Sequence, residues 1–340
     1  MPASEVNPNP FAVAGQQAAG GPRHRPIDPR EKGHREEYYV PVDHTDDCFQ
    51  QFRSFLGTAQ RPMSNDPDLP GIAGSVVIVE GEDGSGRSTL VHRCISEVET
   101  AMKDKGITSV KRIDLSSIRN QPEGAGDDDP LSRHRRSFWR VLSYSLLAGR
   151  LGQLDADDRN SVEKHLEDGS FDFLQLAVER ILTMDRDPCT LVAVWPEQCP
   201  GSAIDMLLKN VPGNMLVFCE TRPQDDLGGP YPYGSPLVLS LGPLSVEDGW
   251  KMIEKRFELA RTNGLDPDSL IPFVKEDIDF LMKEVLIERP KNSATKSAMS
   301  LSELQNLLIW SYHHSLEEGL EKIDMDAISR FYFRFMSTHF

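Results

Sequence analysis

A chain of 340 residues is long enough for one large domain or two moderate ones, each with a real core. Its composition, 39% hydrophobic and 26% charged, is that of a globular protein, while 24 prolines and 25 glycines point to long connections. With 37 basic against 53 acidic residues the net charge of −16 repels a polyphosphate backbone, so nucleic acid is expected to be an unlikely partner.

The first residues lack the basic start and apolar stretch of a secretory signal, and no run reaches the length of a membrane span. Cysteines 48, 94, 189, 199 and 219 form no CxxC pair, which fits free thiols in a reducing compartment. A cytoplasmic protein is expected. Residues 1–35, rich in Pro, Gly, Ala and Gln, read as a disordered tail. Aromatic and apolar residues return from Glu36 to Leu56, where Phe49, Phe52 and Leu56 recur at helical spacing.

After a break at GTAQRPMSNDPDLPG, the run Ser75 to Glu80 (SVVIVE) reads as a buried parallel strand. Further strands are predicted at Thr108 to Leu115, Thr190 to Trp195, Asn214 to Cys219 and Leu237 to Leu241. Helices are predicted at Thr89 to Met102, Pro130 to Leu151, Ser161 to Leu182 and Ala203 to Asn210. That alternation implies an α/β parallel sheet. From Val246 the pattern is helical alone, with amphipathic segments Val246 to Arg261, Lys275 to Leu286, Leu301 to Glu318 and Asp324 to Met336. The expected domains are therefore 36–243, a nucleotide-binding α/β domain, and 244–340, a helical lid.

The chemistry-bearing motif is Gly81 to Thr89, GEDGSGRST, which has the GxxxxGK[ST] spacing with arginine in the lysine position. Gly81, Gly84 and Gly86 free the backbone to wrap a phosphate, and Glu82, Asp83, Ser85 and Thr89 complete the stretch. Ser88 is the candidate Mg²⁺ ligand. Arg87 keeps the charge of lysine but is planar and forked, which can preserve binding while disturbing phosphoryl-transfer geometry. The alternative is a ligand-free turn whose Arg87 pairs with Glu82 or Asp83.

A magnesium-holding aspartate is expected after LVAV, yet the chain continues with Trp195, Pro196 and Glu197. Glu197 is the candidate catalytic residue, as orienter of an attacking water, with Asp114 a weaker carboxylate. Thr221 and Arg222, following Glu220 at the end of the next strand, are candidates to sense the γ-phosphate. The cluster Arg133, His134, Arg135 and Arg136 beside Trp139 reads as a solvated helix face. Adjacent His313 and His314 diverge on a helix and suggest no metal site.

These features together resemble the AAA+ and STAND branch of P-loop ATPases, especially its origin-recognition-like and bacterial signalling members. The resemblance extends over about Asn9 to Phe340, including LGPLSVEDGWKMIEKRFELA as a linker and first lid helix. It implies a three-layer sheet of order 5-1-4-3-2, ATP with Mg²⁺ in a cleft between sheet and lid, and nucleotide-dependent switching or assembly with a protein partner or itself. Where the family places an arginine on the γ-phosphate, this chain has Ser302, and Arg289 is a poor substitute. Arg87, Pro196 and Ser302 each touch hydrolysis, so a binding switch with weak or absent turnover is expected. Two alternatives stand beside it: an active ATPase that remodels a partner, and a nucleotide-free scaffold offering Phe49, Phe52, Trp310 and Tyr312 as contact surface.

Overall fold

The computed structural model describes residues 9–11, 17–18, 21–22, 26–31, 38–42, 44–63, 66–105, 109–119, 130–150, 156–168, 171–182, 189–196, 198–223, 236–242, 245–281 and 301–331. In chain order the main elements are α1 (Thr45–Ala59), β1 (Ser75–Glu80), α2 (Arg87–Lys103), β2 (Ser109–Asp114), α3 (Ser116–Arg119), α4 (Pro130–Arg150), α5 (Ala156–Asp168), α6 (Phe171–Leu182), β3 (Cys189–Trp195), α7 (Gly201–Asn210), β4 (Met215–Thr221), β5 (Leu237–Ser240), α8 (Val246–Thr262), α9 (Lys275–Phe280) and α10 (Leu301–Glu318). A last short helix covers 325–331. The chain divides into two compact units, one of Phe49–Glu80 with Cys94–Ser240, the other of Met1–Cys48, Gly81–Arg93 and Leu241–Phe340.

The first unit is built on the sheet. Its five strands are all parallel, in the order β2-β3-β4-β1-β5, which is 5-1-4-3-2 from the other edge. Runs of Val, Leu and Ile with no polar alternation suit strands covered on both faces, and every residue of β3 and β4 is buried. One face packs against Phe138, Trp139 and Leu142 of α4, Val178 of α6 and Ile204 of α7. Successive strand residues point to opposite faces, so Phe218 turns away from that cluster and meets Phe52 of α1 at 5.6 Å between ring centroids.

Three expectations change here. Gln60–Met63 pairs antiparallel with Asp66–Ile72, where the sequence read as a break; its prolines hide a hairpin because proline is tolerated outside the interior of a sheet. Ser161 to Leu182 is two helices, α5 and α6, separated in the sequence by Gly169 and Ser170, which favour a helix end and a helix start. The helix expected over Lys275 to Leu286 is regular only to Phe280, and residues past Leu281 lie outside the described set.

The second unit holds the helices after β5. Ser245 caps α8 by a reciprocal capping box with Asp248, whose own hydrogen bonds to Ser245 and Lys251 hold its carboxyl below the ordinary value against the upward push of burial. The core is aromatic: Phe11 lies 5.6 Å from both Phe257 and Phe273 and 5.7 Å from Tyr312. Within the segment 1–35, Phe11, Ile27 and Asp28 are buried, and Asn9 Nδ2 donates to the Ile309 carbonyl at 2.8 Å.

Candidate nucleotide-binding site

Chain continuity carries β1 directly into the loop Gly81 to Gly86 and on into α2, which begins at Arg87. Gly84 and Gly86 have φ of 79° and 99°, the left-handed region that side chains rarely adopt. Gly81 is needed for a different reason: a Cβ there would lie 2.4 Å from Ser85 Oγ and 3.2 Å from Leu241 Cβ. The backbone N–H of Ser85 donates to the Glu82 carbonyl at 3.0 Å, closing the turn.

The loop keeps polar groups buried without partners. Ser85 is buried and its Oγ has no hydrogen bond. Arg87, 7% exposed, donates through Nη2 to Asp83 at 3.0 Å, while Nη1 has no partner. The arginine–aspartate pair is thus formed, and one donor of the fork remains available.

A pocket opens at the start of α2. Gly86 and Thr89 form one wall, Tyr38 and Tyr39 another, and Met252 with Arg256 from α8 a third. Spacing of four places Met252 and Arg256 on one helix face. Thr89 Oγ1 accepts from the Ile27 N–H at 3.3 Å, and His92 Nδ1 lies 3.3 Å from the Ile27 carbonyl, so the segment through Ile27 is fastened to the first turns of α2. Next to Ile27, burial pushes the Asp28 carboxyl up, but hydrogen bonds from Arg30 and the charge of His92 outweigh it and lower it to about 2.

A glycine-cradled loop between a buried parallel strand and a helix, on a sheet of this order, settles the architecture. The fold is that of an α/β P-loop NTPase followed by a helical region. Similar solved structures include Drosophila ORC bound to DNA, 12% identical with a TM-score of 0.48 over 92% of this chain and 69% of that one. Another is the Aeropyrum pernix ORC1 protein in complex with DNA, 13% identical, TM-score 0.49, 88% of this chain and 67% of that one. Domain III of the Thermotoga maritima replication initiation protein DnaA is 13% identical, with a TM-score of 0.42 over 86% of this chain and 92% of that one. No protein-family model matches the chain, and no curated protein matches it.

One expectation is overturned by these structures. Nucleic acid is an unlikely partner on the net charge of −16, yet the similar Drosophila ORC and Aeropyrum pernix ORC1 structures were solved with DNA. A sum over the whole chain does not describe the local face that a phosphate backbone meets, so that expectation does not stand.

The remaining candidates separate. Gly81 to Thr89 lie together in the second unit. Thr221, buried, ends β4 in register with Glu80, the residue before Gly81 in the chain, and its Oγ1 donates to the Arg222 carbonyl at 3.2 Å; Arg222 is exposed. Glu197, Arg289, and the side chains of Ser302, Arg133, His134 and Arg136 lie outside the described residues. Asp114 accepts from the Ser116 N–H at 2.8 Å, the bond of a helix start. Arg135 is half-buried with Nη2 3.5 Å from Asn210, and burial lowers its pKa against the opposing charge of Asp172; it is no solvated cation.

Phe49, Phe52 and Tyr312, offered above as contact surface, are core residues at 7%, 0% and 0% exposure, and Trp310 is half-buried. His313 and His314 both approach Glu317. Among the described residues no group of three or more His, Cys, Asp or Glu could hold a metal. No described helix is long and apolar enough to cross a membrane. Sequence reasoning missed Tyr38, Arg256 and Gln305 because residues more than two hundred positions apart meet only in the fold; the one local signal was the Met252, Arg256 spacing.

Proposed function

We propose that this protein is an AAA+-type ATP-binding switch or assembly factor that turns its nucleotide over slowly or not at all. The observation supporting this reading is the pairing, within one unit, of a glycine cradle opening α2 with a pocket at Gly86 and Thr89 that is walled by aromatic and aliphatic side chains. The N–H groups of Glu82 to Ser88 and the positive end of α2 would receive the phosphates, Arg87 would exchange Asp83 for a phosphate oxygen, and Ser88 would meet Mg²⁺. ATP supplies the charge and the shape that select one arrangement of loop and helices; the residues respond by ordering around it.

The switch follows from what lines the pocket. Ile27, Tyr38, Tyr39, Val40, Val42 and Thr45, with the start of α2, α8 and α10, contribute to its wall, so a bound nucleotide favours the arrangement in which they converge. Arg87, Pro196 and Ser302 argue against fast hydrolysis, with Thr221 and Arg222 assigned as γ-phosphate sensors and Glu197 as the residue any residual turnover would need. Five buried free thiols support a reducing, cytoplasmic setting. The partner is a protein or a second copy of the chain, and DNA enters as an arm of the test because two structures of similar fold were solved with it.

Isothermal titration with Mg-ATP should show binding that Gly86→Glu abolishes. Absence of heat at millimolar ATP would sink the proposal. Phosphate release that disappears in Glu197→Gln would replace the switch with an active ATPase, and duplex DNA whose affinity changes with ATP would identify what the switch controls.

A further inference from the structure

Arg256 is a buried cation with unpartnered nitrogens among the described residues. It projects from the middle of α8, is 1% exposed, and among the described residues has no hydrogen-bond partner at Nε or Nη1. Its guanidinium carbon lies 5.3 Å from the centroid of the Tyr38 ring. Burial pushes its pKa down to about 10, with the Tyr38 hydroxyl opposing, so the group remains a cation at neutral pH. A buried cation with no anionic partner costs several kcal/mol, which the Tyr38 ring offsets only in part, and an unsatisfied donor adds to that. Gln305 of α10, 2% exposed, repeats the pattern: its Nε2 has no partner among the described residues.

Both residues line the pocket that Gly86 and Thr89 open at the start of α2. Donors with no internal partner that converge on a cavity call for a ligand that brings acceptors. The surroundings decide which acceptors. Tyr38, Val40 and Met252 wall the same space, and a ring or aliphatic wall suits a flat heterocycle far better than a hydrated phosphate. The phosphates have their own receptor in the loop amides.

We propose that Arg256, assisted by Gln305, reads the acceptor nitrogens of the purine base of the bound nucleotide, and so decides how tightly the nucleoside end is held. The inference rests on the ATP-binding reading above. Guanidinium nitrogens donate in a fixed plane and cannot accept, which matches the lone pairs of ring nitrogens at the edge of a purine. Ligand binding would then give Arg256 Nε and Nη1 the acceptors they lack.

The test uses the full chain with ATP and, as a base-free probe, inorganic tripolyphosphate. Arg256→Met should weaken ATP about ten- to a hundredfold, the range for a charged hydrogen bond, and leave tripolyphosphate affinity unchanged. The same substitution should hold or raise the melting temperature of the ligand-free protein, since an apolar side chain of similar length replaces an unpaired buried charge. Gln305→Leu, a milder change, should weaken ATP by up to about tenfold and serves if the first variant does not fold. ATP affinity within twofold of wild type in the variants would overturn the inference, as would an equal loss for tripolyphosphate, or a lowered melting temperature with unchanged ATP affinity. Wild-type protein that binds neither probe would instead bring down the ATP-binding reading, and this inference with it.

Discussion

The sheet unit and the unit holding the phosphate loop solve burial in different ways. Along β3 and β4 the backbone polar groups are used in the parallel ladder and all side chains are inside, with aliphatic and aromatic residues facing helices on one side and Phe52 on the other. The loop unit, with its aromatic centre at Phe11, Phe257, Phe273 and Tyr312, encloses polar atoms that no described residue satisfies: Ser85 Oγ, Arg87 Nη1, Arg256 Nε and Nη1, and Gln305 Nε2. The first pattern is that of a scaffold close to its best packing. The second gives up stability where a ligand can return it.

The largest effect should come from the sheet. Phe218→Ala, at a fully buried position in β4, should cost about 3–5 kcal/mol in chemical unfolding, and a loss under 1 kcal/mol would show that the sheet core is looser than its burial implies. Phe11→Ala removes an equally buried ring from the other core and should cost about 3 kcal/mol; unlike Phe218→Ala, it should also weaken ATP in the fraction that stays folded, because the pocket is lined by the same unit. Equal ATP affinity in the two variants would erase the distinction between the units.

Ser245→Ala takes away one half of the capping box and should lower stability by about 1 kcal/mol, read as a shifted denaturation midpoint with an unchanged slope. The smallest effect is one of pH. The carboxyl of Asp28 sits lower folded, at about 2, than in the unfolded chain, so the stability it adds is complete above about pH 4 and is lost as pH falls towards 2. Asp28→Asn should flatten that part of the acid-unfolding curve; an unaltered curve would mean that the Arg30 and His92 contacts do not persist in solution.

What could be read from the sequence was what is local. Five apolar runs announced the strands, and glycines 81, 84 and 86 announced the loop, because each signal fits within ten residues. The hairpin Gln60–Met63 with Asp66–Ile72 was hidden by Pro62, Pro67 and Pro70, which argue against strand wherever pairing partners are unknown. Phe11 was hidden by its Pro- and Ala-rich neighbours, for a single aromatic has no periodicity. Arg256 and Gln305 were legible only as members of amphipathic helices, since nothing in a one-dimensional pattern says that a charged residue faces inward.

The hydrogen bond from Asn9 to the carbonyl of Ile309 spans 300 positions, and the ring of Phe11 needs Tyr312 beside it. During synthesis the beginning of the chain therefore emerges long before its packing partners exist. Strands and helices of the sheet can assemble as they leave the ribosome, while the phosphate loop waits for α8 and α10 before its surroundings close. A premature stop before α10 would leave Phe11 exposed on a nascent chain, an apolar handle for chaperones, and a protein that carries the loop sequence without the chamber around it.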